Sequence, residues 1–145
     1  MVAYSFKPGF IPAIEALEKR QTIRLPRKRH ARAGEALQLF TGPRMKPVRL
    51  GAATCVAVRD VRLDFRAATV TVDDAMMIDE LADLNAFAIR DGFLPPEHLQ
   101  AVVTPWEYMS RWWRLTHPDH ALFRGVLIDW AETFVPAARQ PLELA

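Results

Sequence analysis

The sequence predicts a single α+β domain built on a small, partly closed antiparallel β-barrel with flanking and inserted helices. Strand-like segments occupy much of residues 22–72, helical periodicity follows over residues 78–115, and a strand-like segment returns at residues 122–130. The chain has 145 residues, 50% of them hydrophobic, which is enough for one buried core, and no stretch resembles a linker. One domain over residues 1–145 is therefore expected.

The first predicted elements bring two candidate residues near each other. Apolar side chains recur at helical spacing in residues 10–19, which predicts a short helix. Residues 22–25 predict a brief strand, which Pro26 ends because proline cannot donate to a sheet. A basic loop then continues to residue 34. Lys19 and Thr22 are thus expected at a helix-to-strand corner.

The following segments predict most of the barrel. Residues 36–42 alternate and end in a Gly-Pro turn, and residues 48–65 are long and rich in β-branched side chains. Residues 69–72 predict another strand, which pairs with the preceding one across residues 65–68. After residue 74 the pattern changes from strands to helices.

Two helices and a last strand complete the prediction. Residues 78–89 fit an amphipathic helix that Gly92 terminates. A second helix is expected over residues 96–115, although Pro105 should break or kink it. The last strand is expected at residues 122–130.

Several conspicuous residues near the second helix have structural interpretations. Trp106, Trp112 and Trp113 are interpreted as a hydrophobic seam against the barrel rather than as a base-stacking surface. Residues 117–120, His-Pro-Asp-His, predict a turn rather than a metal site, since no further ligand cluster accompanies them. The chain also lacks a glycine-rich phosphate loop, a Gly-x-Ser-x-Gly elbow and an HExxH pair, which argues against triphosphatases, common serine hydrolases and metalloproteases. No metal or cofactor is expected.

The sequence shows no sign of a membrane segment or a secretory signal. No run of about 18 apolar residues occurs, and the first residues lack a charged-then-apolar pattern. A soluble cytoplasmic protein without a membrane partner is expected. The single cysteine, Cys55, lies in an apolar run, which predicts a packed strand thiol rather than a nucleophile.

Positive charge is concentrated in one part of the chain. Residues 19–49 contain ten lysines and arginines and one acid, Glu35, so this segment carries +9 in a chain whose net charge is +2. Such a segment favours an anionic partner, of which nucleotides and RNA are the usual ones. The alternative is a solvated basic face with no partner.

Four sequence elements occur in an order that is typical of one family. They are Leu17-x-Lys19-x-x-Thr22-Ile23-Arg24, Ala33-Gly34-Glu35-x-Leu37-x-Leu39-x-Thr41-Gly42, Arg90-Asp91-Gly92-Phe93 and Gly125-Val126-Leu127-Ile128-x-Trp130. Over about residues 4–131 the chain resembles an ASCH domain, a PUA-like fold named for activating signal cointegrator homology. Residues 132–145 are then a C-terminal tail.

The resemblance implies a PUA-like barrel that binds RNA or a modified nucleotide in a cleft between barrel and helices. One bacterial branch with the Lys-x-x-Thr-x-Arg element resembles amidohydrolases of N4-acetylcytidine, and another branch is similar to ribonucleases. Binding of RNA or a nucleotide is the expected function. Hydrolysis of an acylated nucleoside, or of RNA, is the alternative.

In the amidohydrolase branch the resemblance implies a catalytic role for Lys19, Thr22 and Asp91. Lys19 matches the catalytic lysine and Thr22 the nucleophilic threonine, whereas Asp91 stands where that branch has a glutamate. A threonine hydroxyl needs a base, which a lysine with a pKa lowered by nearby Arg20 and Arg24 supplies. The carboxylate then passes a proton to the leaving amine, although aspartate is one methylene shorter.

Each of these residues also has an ordinary structural interpretation. Lys19 suits a helix C-terminus, Thr22 suits a strand, and Asp91 suits the solvated end of the next helix. Glu97 is a second candidate for the carboxylate.

The expected nucleic-acid or nucleotide contacts are basic residues, because guanidinium and ammonium groups bind phosphate oxygens. They are Arg24, Arg27, Lys28, Arg44 and Lys46. Tyr4 and Phe6 are expected beside the same cleft.

Overall fold

The computed structural model describes residues 1–119 and 121–137 and contains nine strands, three α-helices and two short 3₁₀ helices in these residues. The strands are β1 (Val2–Phe6), β2 (Gln21–Arg24), β3 (Ala36–Thr41), β4 (Val48–Thr54), β5 (Ala57–Asp64), β6 (Thr69–Val72), β7 (Met76–Ile78), β8 (Leu122–Asp129) and β9 (Val135–Pro136). The α-helices are α1 (Ile11–Glu15), α2 (Leu81–Arg90) and α3 (Pro105–Thr116), and the 3₁₀ helices are Pro8–Phe10 and Glu97–Leu99. The protein is therefore α+β, as expected.

The described strands form two sheets rather than a closed barrel. One sheet has the order β1-β3-β4-β9 and the other the order β2-β8-β5-β6-β7. Neighbouring strands are antiparallel except β1 and β3, which are parallel. The expectation of a small antiparallel barrel is thus not confirmed, because the hydrogen-bonded ladder of the described residues ends at an edge in each sheet.

Most of the predicted strands are confirmed with small shifts in their bounds. The segment from Val48 to Phe65 folds into β4 and β5, and β6 pairs with β5 across the predicted turn. Three strands were not predicted. They are β1, β7 and β9.

Strand β1 carries a pattern that would have revealed it. Its residues alternate between buried Val2, Tyr4 and Phe6 and exposed Ala3 and Ser5. This period of two is typical of a strand with one face on the core. By contrast, β7 and β9 are three and two residues long, too short for periodicity to show.

Helix α3 differs from its predicted bounds because of a proline. Pro105 does not kink a long helix but opens α3, since a first-turn proline loses no intrahelical hydrogen bond. The Thr104 hydroxyl caps this helix by accepting a hydrogen bond from the Glu107 backbone N–H. Residues 96–104 are therefore separate from α3 and include the second 3₁₀ helix.

Two groups of buried apolar side chains hold the elements together. One lies between the five-stranded sheet and helices α2 and α3, and it includes Phe87, Trp106 and Trp113. The other lies beside the four-stranded sheet and includes Ile14 and Trp130. The predicted tryptophan seam is thus confirmed for Trp106 and Trp113, which are buried, whereas Trp112 is only half-buried.

Three further expectations concern the single cysteine, a membrane-spanning helix and the C-terminal part of the chain. Cys55 is buried, as predicted, but it lies in the connection between β4 and β5 rather than in a strand. In the described part of the chain, no helix has the length and apolar character needed to cross a membrane. Residue 120 of the predicted His-Pro-Asp-His turn and residues 138–145 of the predicted tail lie outside the described residues.

Candidate functional site

A cavity of about 270 Å³ lies where β1, the start of β2, the end of α2 and helix α3 meet. Its walls combine aromatic rings with a few charged and polar groups. The lining residues are Ser5, Phe6, Lys7, Phe10, Lys19, Thr22, Ile23, Arg24, Leu25, Asp91, Phe93, Trp112, Trp113, His117 and Phe123. Four residues singled out in the sequence, Lys19, Thr22, Arg24 and Asp91, thus line one cavity.

Backbone hydrogen bonds fix the segment that carries Lys19. The Arg20 N–H donates to the carbonyl oxygen of Arg90 at 2.7 Å, which ties the corner before β2 to the end of α2. The Trp130 N–H donates to the Arg20 carbonyl at 2.9 Å, which ties the same corner to the end of β8. Lys19 and Asp91 are therefore placed by rigid elements rather than by a free loop.

Lys19 is anchored on Asp91, the residue that caps the C-terminus of α2. Its Nζ donates a hydrogen bond of 2.6 Å to the carbonyl oxygen of Asp91 and lies 3.9 Å from the carboxylate Oδ1. The two side chains are only 3% and 5% exposed. A cation beside the C-terminal carbonyls of a helix is stabilised by the helix dipole. The predicted helix that would end at Lys19 stops at Glu15, so Lys19 lies beside the C-terminus of α2 rather than at the end of its own helix, and the expected solvation of Asp91 is wrong.

Aromatic rings surround the Lys19 ammonium. Nζ lies 4.9 Å from the ring centre of Phe10 and 5.5 Å from that of Phe6. Such faces attract a cation, yet they provide none of the hydrogen bonds that water would supply.

Burial shifts the pKa values of both members of this pair. Loss of water lowers the pKa of Lys19 from 10.5 to about 8; the Asp91 charge opposes this shift and the Arg24 charge adds to it. Loss of water also raises the pKa of Asp91 from 3.8 to about 6, against the opposing effects of Lys19, the Gln21 amide, Arg24 and Arg90. Both groups therefore exchange protons closer to neutral pH than exposed side chains of their kind.

Gly92 makes room for the Lys19 side chain. Its φ is +96°, a left-handed conformation that favours glycine. A Cβ at this position would lie 2.8 Å from Cδ of Lys19 and 3.0 Å from Cδ1 of Phe10. The predicted helix-terminating glycine thus also shapes the site.

Arg24 connects Thr22 with the edge of the other sheet. Its Nε donates to Oγ1 of Thr22 at 3.1 Å, and its Nη2 donates to the carbonyl oxygen of Ser5 in β1 at 2.7 Å. The guanidinium also lies over the rings of Tyr4 and Phe6. Because Oγ1 of Thr22 accepts a hydrogen bond from Arg24, the hydroxyl proton of Thr22 points away from the Arg24 guanidinium.

The sequence did not single out Gln21 or the cavity-facing side of α3. Gln21 is 3% exposed, and its Nε2 and the Asp91 Oδ1 make no hydrogen bond of normal geometry with the described residues, although the Gln21 amide lies close enough to lower the pKa of Asp91 and Lys19 Nζ lies 3.9 Å from Oδ1. Unpaired buried polar atoms are costly and are common at functional sites. Trp112 and His117 line the cavity, although Trp112 was interpreted as part of a core seam and His117 as part of a turn.

Four of the predicted basic contacts lie outside the cavity. Arg27 packs over the ring of Tyr4 at 4.8 Å and donates to the Arg29 carbonyl oxygen, and Lys28 is exposed in the same loop. Arg44 and Lys46 are exposed in the loop between β3 and β4.

Glu97, the second candidate for the carboxylate, lies away from Lys19. Glu97 is exposed in the second 3₁₀ helix and does not line the cavity, so Asp91 is the carboxylate next to Lys19. Among the described residues, no three His, Cys, Asp or Glu side chains converge in a way that suits a metal ion.

No protein-family model, curated protein or solved structure matches this chain.

Proposed function

We propose that the chain is an ASCH-type domain that binds a nucleoside or nucleotide in this cavity. The observation that carries the proposal is the convergence of aromatic rings, Lys19, Thr22, Asp91 and Arg24 on one cavity. Aromatic faces stack on bases, and a small number of placed polar groups fix the orientation of a ligand.

The size of the cavity favours a single nucleoside. Pockets for small organic ligands occupy roughly 300–1,000 Å³, and about 270 Å³ lies just below this range. A double helix would not enter such a space. Half-buried Phe10 and Trp112 line it and offer aromatic surface to a base.

Arg24 is the expected phosphate or base contact at this cavity. Its hydrogen bonds to Thr22 and Ser5 use two of the five N–H donors of the guanidinium, so others are available to a ligand. Those same bonds hold the planar group in one orientation, which suits binding of oxygen pairs.

Hydrolysis of an acylated nucleoside is the second candidate function, and it is favoured by the buried arrangement of Lys19, Thr22 and Asp91. The neutral Lys19 amine takes the Thr22 proton, and the Thr22 oxygen attacks the acyl carbonyl carbon. The C–N bond then breaks, and the proton reaches the leaving amine through the Asp91 carboxyl group. Lys19 then deprotonates water, which hydrolyses the threonyl ester, and Lys19 returns this proton to the Thr22 oxygen as the carboxylic acid is released.

The lowered pKa of Lys19 supports this chemistry. With a pKa of about 8, a useful fraction of the amine is neutral near pH 7, unlike an ordinary lysine. Arg24 adds to it, since its hydrogen bond stabilises negative charge on the Thr22 oxygen.

The experiment combines calorimetric binding with mass spectrometry of products, using cytidine, cytidine monophosphate and N4-acetylcytidine. Wild type should bind these ligands, and Thr22→Val should abolish deacetylation while leaving most of the binding. Thr71→Val is the matched control, because Thr71 is half-buried in β6 and away from the cavity.

Each result separates the candidates. Binding without turnover would exclude the amidohydrolase and retain the binding function. No binding of any nucleoside would overturn the proposal, and cleavage of RNA without deacetylation would favour a ribonuclease.

A further inference from the structure

The Lys19 side chain lacks the hydrogen-bond acceptors that a charged lysine needs. Within the described part of the chain, Nζ donates one hydrogen bond, to the Asp91 carbonyl oxygen at 2.6 Å, and the Asp91 Oδ1 at 3.9 Å is too far for a second. An ammonium group has three protons to donate, whereas a neutral amine keeps this one bond and gains a free electron pair. The geometry therefore favours the neutral amine.

A neutral lysine amine that faces a cavity is a nucleophile as well as a base. Lysines desolvated in apolar pockets attack carbonyl carbons and form imines. The Lys19 side chain is only 3% exposed, but it lines the cavity of about 270 Å³, so a small carbonyl compound reaches it through this space. Attack on carbon is thus a second use of the Lys19 electron pair, distinct from the transfer of a proton.

The Asp91 carboxylate is placed to move the protons that imine formation requires. Its Oδ1 lies 3.9 Å from Nζ of Lys19 and makes no hydrogen bond of normal geometry with the described residues. Burial raises the pKa of Asp91 from 3.8 to about 6, so this carboxylate accepts a proton more readily than an exposed aspartate does. Asp91 therefore suits a proton carrier between nitrogen and oxygen.

The charges of the cavity wall favour a carbonyl compound that carries an anionic group. Lys7, Lys19 and Arg24 line the cavity, and Asp91 is the one acidic side chain among its lining residues. Nζ of Lys19 and Cζ of Arg24 lie 5.5 Å and 4.9 Å from the ring centre of Phe6, so the two groups are at most about 10 Å apart. One benzene ring with an aldehyde at one end and a carboxylate at the other bridges a gap of this size.

We propose that Lys19 forms an imine with a small aromatic aldehyde that carries an anionic group, which Arg24 binds, while Asp91 carries the protons. Half-buried Phe10 and Trp112 offer aromatic surface to the ring of the aldehyde. This activity goes beyond the binding of a nucleoside and does not depend on it.

Imine formation at Lys19 balances without a further reactant. The nitrogen forms a bond to the aldehyde carbon as the C=O electron pair moves onto oxygen, and one nitrogen proton passes through Asp91 to that oxygen. The nitrogen electron pair then forms the C=N bond while the C–O bond breaks. The second nitrogen proton, again carried by Asp91, leaves with the oxygen as water. Amine and aldehyde thus give imine and water, with no oxidation or reduction.

The test measures how fast each lysine of the wild-type protein is labelled by 4-formylbenzoate and sodium cyanoborohydride at pH 8. Cyanoborohydride reduces the imine to a stable secondary amine, which peptide mapping by mass spectrometry locates. The chain has four lysines, of which Lys28 and Lys46 are exposed outside the cavity and serve as internal references.

Lys19 should be labelled at least about tenfold faster than either reference lysine. At pH 8 about half of Lys19 is neutral, because its pKa is about 8, whereas less than about 1% of an ordinary lysine is neutral. Labelling of Lys19 at the rate of the reference lysines, or more slowly, would overturn the proposal.

A second aldehyde tests the anionic group without any change to the protein. With 4-formylbenzamide, which is neutral and similar in size, the ratio of Lys19 labelling to reference labelling should fall about tenfold, since it lacks the charge-assisted hydrogen bonds to Arg24. An unchanged ratio would show that Arg24 does not select the ligand and would overturn the anionic ligand class.

The Asp91→Asn variant tests the proton carrier. It retains the backbone carbonyl that accepts from Nζ and should slow Lys19 labelling by about 10²-fold. A further fall in the pKa of Lys19 raises the neutral fraction at most about twofold at pH 8, which does not offset this loss. Asp79→Asn, at an exposed site outside the cavity, is the matched control. Equal Lys19 labelling in wild type and Asp91→Asn would overturn the role of Asp91.

This inference and the proposed function fail separately. Nucleoside binding without faster labelling of Lys19 would overturn imine formation and leave the proposed function intact. Faster labelling of Lys19 without nucleoside binding would support imine formation and overturn the proposed function. Cytidine that slows the labelling of Lys19 but not of Lys28 would support both, since the two ligands would then share the cavity.

Discussion

The Nζ of Lys19 lies 2.6 Å from the carbonyl oxygen of Asp91, although 72 positions separate them in sequence. Lys19 precedes β2, and Asp91 directly follows α2 as its C-cap. Their contact joins the helical part of the chain to the five-stranded sheet. The pKa values of both groups follow from this contact and from the burial that accompanies it.

Replacing Asp91 with asparagine should lower the pKa of Lys19 further. The aspartate charge raises that pKa, and asparagine keeps the backbone carbonyl that accepts from Nζ. Nitrogen-15 NMR of the lysine side chain should show titration below pH 8, the value about which wild type titrates. An unchanged titration would contradict the proposed coupling, and Asp119→Asn, an exposed site, is the control.

If the chain is an amidohydrolase, kcat/KM should rise with pH up to about 8 and then level off. Below this pH most Lys19 is protonated and cannot accept the Thr22 proton. Lys19→Arg should reduce kcat by roughly 10²-fold or more, because arginine stays protonated. A rate that is independent of pH between 6 and 8 in a step limited by chemistry would exclude Lys19 as the base.

Folding stability should depend on pH in two windows of opposite sign. Between pH 8 and 10.5 the unfolded chain binds the Lys19 proton and the folded chain does not, so the Lys19 contribution to stability rises with pH. Between pH 3.8 and 6 the folded chain keeps the Asp91 proton and the unfolded chain does not, so the Asp91 contribution falls as pH rises.

Urea unfolding of wild type and of the Lys19→Met/Asp91→Asn variant measures both windows. The free energy of unfolding of wild type minus that of the variant should rise above pH 8, at most by about 1.4 kcal/mol per pH unit. It should fall between pH 4 and 6. A difference that stays constant with pH would show that neither pKa is shifted by folding.

Gly92→Ala should lower both stability and ligand binding. The left-handed backbone costs a non-glycine residue about 1 to 2 kcal/mol, and the new Cβ would approach the Lys19 side chain within 2.8 Å. Gly9→Ala is the matched control, since a Cβ there meets no atom within 4 Å. Thermal unfolding and nucleoside affinity of the two variants check the prediction, and equal behaviour would contradict it.

Trp112→Leu should weaken nucleoside binding roughly tenfold, with a smaller loss for Trp112→Phe. Loss of one base-stacking ring costs about 1 to 3 kcal/mol. The ring is half-buried and packs against Phe10 and Phe93 at the cavity wall. Leu115→Ala, exposed on the same helix, is the control. Calorimetry measures the nucleoside affinity of each variant. Full affinity in Trp112→Leu would show that this ring does not contact the ligand.

The amino-acid pattern alone was sufficient for most of the local structure. Alternation and turn residues predicted β3 through β6, and helical periodicity with Gly92 predicted α2. These features depend on neighbours within a few positions, which the sequence displays directly. The sequence also indicated Lys19, Thr22, Arg24 and Asp91 as candidate site residues, through the concentration of positive charge and the family resemblance.

Only the tertiary structure decided which candidates meet. Burial brings Lys19 and Asp91 together and leaves Arg27 and Lys28 outside the cavity, although all four were candidate site residues. The separation into two sheets and the parallel pairing of β1 with β3 likewise depend on long-range packing. Periodicity shows which face of a segment is apolar, but not which distant segment covers it. The pKa shifts of the site follow from that covering, because desolvation is a property of the folded surroundings rather than of the residue.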